Sequence, residues 1–201
     1  MASSLTGRVK KLTWTDFGTP VPKPKPTPGG TAIAAHTETL APINYGWASS
    51  GKSFTLSDNV TVAIQFVGNK SWVADWVFNE SQKFQDDLLR HEQGHYDITA
   101  LMARDMFIEI MQLKGQTFKS KTDLDAAVAA VVAAHKFQPV HNKYDEKIET
   151  NHGMNEPQQK AWDALFQKAW NTPRSPAVTA PDGAAYKMRL LDVLKAAGKA
   201  P

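Results

Sequence analysis

The chain has no cysteine among its 201 residues. That excludes disulfides, cysteine nucleophiles and thiolate metal sites, and leaves His, Asp and Glu to hold any metal. No apolar run is long enough to span a bilayer. The first residues, Met1-Ala2-Ser3-Ser4-Leu5-Thr6-Gly7, lack the apolar stretch of a secretory signal, so none is visible in this chain. Net charge is also small: 23 Lys and Arg against 20 Asp and Glu leave +3. No basic run is interleaved with aromatics, so nucleic acid is not an expected partner. What remains, 42% hydrophobic and 21% charged residues, suits one globular domain able to bury a core.

Chemistry is concentrated in Leu88-Leu89-Arg90-His91-Glu92-Gln93-Gly94-His95-Tyr96-Asp97-Ile98. Its centre reads His-Glu-x-x-His. On a helix His91 and His95 lie one turn apart on one face, so both imidazoles can reach one ion. Glu92 lies beside that face, where a carboxylate can accept a proton from water activated by the ion. Gly94 costs the helix about 1 kcal/mol relative to Ala; it would let another backbone or a substrate approach closely there, or merely relieve a tight helix crossing. A coincidental solvated helix face is the blander alternative.

Around this centre the periodicities predict the following elements. Lys11–Phe17 reads as an N-terminal strand or anchor, and residues 19–30, rich in Pro, read as a surface loop. From Thr31 to Trp76 the pattern is mostly β, with Val60–Phe66 alternating and Gly68-Asn69 turning it into a hairpin with Ser71–Val77. A helix capped by Asn79 or Ser81 should run from Gln82 to about Lys114. Further helices are expected at Thr122–His135, at Tyr144–Asn151 with its stop at Gly153, and at 157–170. Pro139 should separate the first two of these. The chain closes at 171–201 with a loop and a basic helix over Ala184–Ala197, a packing appendage.

A catalytic zinc site needs three protein ligands and an open position. His36 reads as an exposed histidine on a strand, and His135 as a helix-end charge; His141 is a further possibility. The segment Tyr144-Asp145-Glu146-Lys147-Ile148-Glu149-Thr150-Asn151-His152 is richer. If helical, it lines up Asp145, Glu149 and His152 on one face, able to supply a ligand and a supporting carboxylate. His152 is the expected third ligand, with Glu149 and Asp145 as alternatives.

Four phrases in order, Leu12-Thr13-Trp14-x-Asp16-Phe17, Ser71-Trp72-Val73, the His91–Ile98 stretch, and Glu149-Thr150-x-His152 followed by Gln159 and Trp162, resemble the bacterial family of predicted secreted zinc-dependent proteases. The resemblance covers about residues 10–170. It implies an α+β, zincin-like domain spanning 1–201, with a small, mostly antiparallel N-terminal sheet packed on the long His-Glu-x-x-His helix and further C-terminal helices. It implies a metallopeptidase that holds one Zn2+ through His91 and His95, uses Glu92 as base and acts on a peptide or protein substrate. It also implies a secreted or periplasmic location. Tyr144 is our expected oxyanion donor, and the Val60–Phe66 or Ser71–Val77 strand the expected docking edge for an extended peptide. Two other functions fit the same motif: a binding or structural domain with a closed metal site, and a zinc amide hydrolase acting on a non-protein substrate such as cell wall.

Overall fold

One helix, α1 (Gln82–Met111), carries the His-Glu-x-x-His sequence and packs against every other α-helix among the described residues and against several strands. In the computed structural model, residues 2–23, 33–174 and 186–201 are described. Most of the Pro-rich loop expected at 19–30 lies outside them, as do Pro176, Pro181 and the start of the helix expected at 184. Helix α1 begins where the sequence places it, with the Ser81 hydroxyl accepting the Phe84 N–H at 3.3 Å. That contact satisfies one of the four free N–H groups of the first turn. From His91 to Met106 every residue is buried except Gln93 and Asp97, which are half-buried. A helix covered on all sides is the core of its domain rather than a lid on it.

Two apolar clusters share this helix. Ala100, Ala103, Met106 and Ile110 face the strands, through Val60, Val62 and Val73, and also α2 (Lys121–Ala134), through Leu124 and Val128. Ile98, Leu101 and Met102 face the other helices, α3 (Phe137–Asp145), α4 (Glu156–Asn171) and α5 (Leu190–Ala196), through Val140, Trp162, Phe166, Leu190 and Leu194. Each such Leu or Ile, fully withdrawn from water, contributes about 1.5–3 kcal/mol. The C-terminal helix is thus part of the second core, and the expected appendage reading is corrected.

The β part is α+β in character and made of short pieces: β1 (Ser4–Thr6), β2 (Ala35–His36), β3 (Thr39–Leu40), β4 (Ile43–Asn44), β5 (Trp47–Ser50), β6 (Ser53–Leu56), β7 (Thr61–Ala63), β8 (Gln65–Phe66) and β9 (Trp72–Val73). Strand β7 lies between β1, parallel to it, and antiparallel β4; β2 pairs with β9, β3 with β8, and β5 with β6. The hairpin expected around Gly68-Asn69 does not form, because β9 pairs with β2 and Asp75–Asn79 turns into a 3-10 helix. Much of both expected docking edges is also taken, although β8 pairs only with β3 among the described residues. Strand β7 is paired on both sides, and Val73 in β9 is bonded through its carbonyl to the Val21 N–H on the side away from β2. No helix among the described residues is long and apolar enough to cross a membrane.

The region after α2 departs most from expectation. The expected helix at Tyr144–Asn151 is instead the end of α3 followed by turns. Pro139, read as a break, sits in the first turn of α3, where its missing N–H costs no intrahelical bond. Asn151, His152 and Gly153 have φ of 49°, 51° and 84°. Two consecutive non-glycine residues in the left-handed region store strain that surrounding structure must hold in place.

Candidate metal centre

The last residue of α3 and the left-handed turn both end against the first half of α1. Asp145 Oδ1 lies 3.0 Å from His91 Nε2, 3.1 Å from His95 Nε2 and 3.7 Å from His152 Nδ1. Zinc bonds of about 2.0–2.1 Å arranged tetrahedrally put neighbouring donor atoms about 3.3–3.4 Å apart, and these spacings fall on either side of that value. His91, Asp145 and His152 form the compact group, with donor atoms all within 4.8 Å of one another, and together they can hold a metal ion. His95 stands outside that trio yet reaches the same carboxylate oxygen at the shorter distance.

Polar satisfaction separates this place from the rest of the core. His91, Glu92 and His95 are all buried. His91 Nδ1, Glu92 Oε2 and Asp145 Oδ1 are buried polar atoms without a hydrogen-bond partner among the described residues. Asp145 Oδ1 is close to two ring nitrogens but aligned with neither as a hydrogen bond. An unsatisfied buried polar group costs about 1–3 kcal/mol. Several gathered at one point fit a donor set that a cation completes.

The electrostatics agree. Burial would push the Asp145 carboxyl up, but the rings of His91 and His95 outweigh it and hold the group well below the usual carboxylate range. Burial depresses His91. At His95 the same burial is outweighed by Asp145 and Glu92, which draw the imidazole upward. A carboxylate held ionised beside two buried imidazoles favours a positive charge there, and metal binding at such donors releases protons.

Each side chain of the centre is held from behind. The Tyr144 ring stacks on His91, with centroids 4.7 Å apart and planes 3° off parallel. Its hydroxyl donates to the His91 carbonyl at 3.3 Å and accepts from Gln159 Nε2 at 2.6 Å. Burial raises that phenol far above its ordinary pKa. Its one hydrogen is therefore committed inside the protein, which corrects the expectation of an oxyanion donor: Tyr144 buttresses His91. This also explains Gly94, because a Cβ there would stand 2.1 Å from the Tyr144 hydroxyl. Gly153 is constrained likewise, since its Cβ would come within 2.9 Å of the His91 Cβ at a φ of +84°.

Glu149, an alternative third ligand, is occupied elsewhere. Its Oε2 accepts the Trp162 indole N–H at 3.0 Å and pairs with Lys199. His135 bonds the Val131 carbonyl and lies 3.8 Å from Glu109, at the far end of α1. His36 pairs loosely with Glu38. His141, a further ligand possibility in the sequence, stands directly behind His95 instead, with Nδ1 2.9 Å from the His95 Nδ1. Its place behind His95 follows no spacing rule on one helix, because it comes from α3. Gln93 plays a further part that the motif does not advertise. Its side chain accepts the Leu12 N–H at 2.8 Å and donates to the Lys10 carbonyl at 3.0 Å, tying the N-terminal segment to α1.

Residues 9–153 match the family described as "Bacterial protein of unknown function (DUF922)". The match runs through every residue of the centre and stops just after His152. No curated protein and no solved structure matches the chain.

Proposed function

The chain belongs to that bacterial family, and we propose that it is a metal-dependent hydrolase, most specifically a zinc metallopeptidase. In this reading His91, His95 and Asp145 hold the ion and His152 stands at its exposed side. Bound there, a divalent ion supplies Lewis acidity and brings water within reach of deprotonation near neutral pH. The observation that carries the proposal is Glu92. Its carboxylate is buried beside the donor set with Oε2 unpartnered, a costly arrangement for a group that only fills space. As a general base, Oε2 takes a proton from the attacking water and delivers it to the leaving nitrogen. Tyr144 keeps the His91 ring in plane. The strained turn at 151–153 keeps His152 facing Asp145.

The test is hydrolysis of an unfolded protein such as casein by zinc-loaded chain, with a chelator control. Glu92→Gln should keep the metal and lose at least about a hundredfold in rate. Unchanged turnover would remove the base assignment. A second reading rests on His152: as a fourth protein ligand it would close the site and make it structural. Loss of folded structure on chelation, with no hydrolysis by the wild type, would favour that reading.

A further inference from the structure

The two histidines of α1 are supported differently, and the difference assigns a role to a residue outside the motif. His91 is fixed by stacking on Tyr144, and its Nδ1 has no partner among the described residues. His95 has no such stack; the Tyr144 ring meets it edge-on, at 86°. Behind His95 a line of side chains crosses from helix to strand instead. Its Nδ1 lies 2.9 Å from His141 Nδ1, His141 Nε2 lies 3.2 Å from Thr99 Oγ1, and Thr99 Oγ1 lies 2.6 Å from Thr39 Oγ1. Thr99 is one turn beyond His95 on α1, and Thr39 belongs to β3.

Two ring nitrogens 2.9 Å apart share one proton. If it sits on His95, the His95 Nε2 keeps its lone pair on the side of Asp145, where a cation is attracted. His141 then accepts at Nδ1 and donates from Nε2 to Thr99, which donates onward to Thr39. If the proton sits on His141, His95 must carry its own on Nε2, aimed at the donor set, and no cation can bind that nitrogen. The line can run either way, so a cation selects its direction.

We propose that His141 is the positioning residue of the metal centre: held by Thr99 and Thr39, it orients the His95 ring and accepts a hydrogen bond from the His95 Nδ1–H, the tautomer that leaves His95 Nε2 free for a metal ion. This rests on the metal-binding reading above. A ligand histidine commonly gives its second N–H to such a partner, and losing that partner costs about 10–100-fold in metal affinity.

The experiment is zinc binding by the full chain in competition with a chromophoric chelator, for wild type, His141→Ala, His141→Gln, Thr99→Val and His91→Ala. We expect His141→Ala to bind about 10–100-fold more weakly. Gln can accept through its carbonyl and donate through its amide, so His141→Gln should recover most of that loss. Thr99→Val should lose affinity by less than His141→Ala. Nitrogen chemical shifts of the zinc-loaded wild type should place the His95 proton on Nδ1. Equal affinity in wild type and His141→Ala, or failure of Gln to rescue, overturns the inference. So does a loss in His141→Ala as large as in His91→Ala, which would make His141 a ligand. If His141→Ala does not fold, Thr99→Val and the tautomer of His95 decide alone. No zinc binding by the wild type defeats the metal reading itself, a result distinct from all of these.

Discussion

The two halves of α1 bury charged groups in opposite ways. In the second half, Arg104 and Asp105 are as buried as His91 and Glu92, but every arm is used. The guanidinium bonds Asp105 Oδ1 at 2.6 and 3.0 Å and the carbonyls of Ala169 and Met188 at 2.9 and 2.8 Å. Asp105 Oδ2 accepts the Leu190 N–H at 2.8 Å. This pair pins the C-terminal segment to the core. In the first half, His91, Glu92 and the facing Asp145 each leave a buried atom without a partner among the described residues. Buried charge that is fully bonded is structural, whereas buried charge left open points to a ligand.

The comparison breaks or sharpens under four substitutions. The largest effect should come from Asp145→Ala, which removes the oxygen shared by His91, His95 and His152. Zinc affinity by chelator competition should fall at least about a thousandfold, beyond the 10–100-fold typical of supporting groups. Arg104→Ala should act on stability instead. It leaves Asp105 buried without its cation, costing about 3–5 kcal/mol in urea unfolding. The folded fraction should still bind zinc.

Lys199→Met comes next. Burial would raise the Glu149 carboxyl, but Lys199 and the Trp162 N–H outweigh it and hold the pKa below its ordinary value. A depressed carboxylate contributes stability above its unfolded pKa and loses it as pH falls through the folded one. The variant should therefore cost about 1–3 kcal/mol at neutral pH. Its deficit should shrink as acid protonates Glu149, readable from unfolding curves at a series of pH values. The smallest effect has the opposite sign. Glu92→Gln removes an open buried carboxylate, so the metal-free variant should be more stable than wild type by about 0.5–2 kcal/mol. A loss of stability there would erase the contrast between the two halves.

How far the sequence reached follows the range of each interaction. Helix α1, α2 and α4 were legible to within a few residues, because apolar periodicity is a local signal, and the cap read at Ser81 is in place; Ser120 and Asn155, not read as caps, act in the same way. The strands were not. All nine are two to four residues long, and apart from the β5–β6 pair their partners lie far along the chain. The site divided the same way. His91, Glu92 and His95 were found from one helical spacing, while the Asp145 position depended on a helix ending there. Reading Pro139 as a break extended the next helix through Tyr144–Asn151 and spread Asp145, Glu149 and His152 along one face. In the structure α3 stops at Asp145, Glu149 turns to Trp162 and Lys199, and the left-handed turn brings His152 back. Tyr144 was singled out for its hydroxyl, but its ring does the work, and Gly94 was the signal that something packed there.

The most direct test of the central claim is anomalous diffraction at the zinc absorption edge from a crystal of the wild-type chain grown with Zn2+. The account predicts one strong peak per chain, within about 2.0–2.2 Å of the His91 and His95 Nε2 atoms and an Asp145 oxygen. A zinc-replete crystal with no peak between α1 and Asp145, or with peaks only at surface histidines, would contradict it.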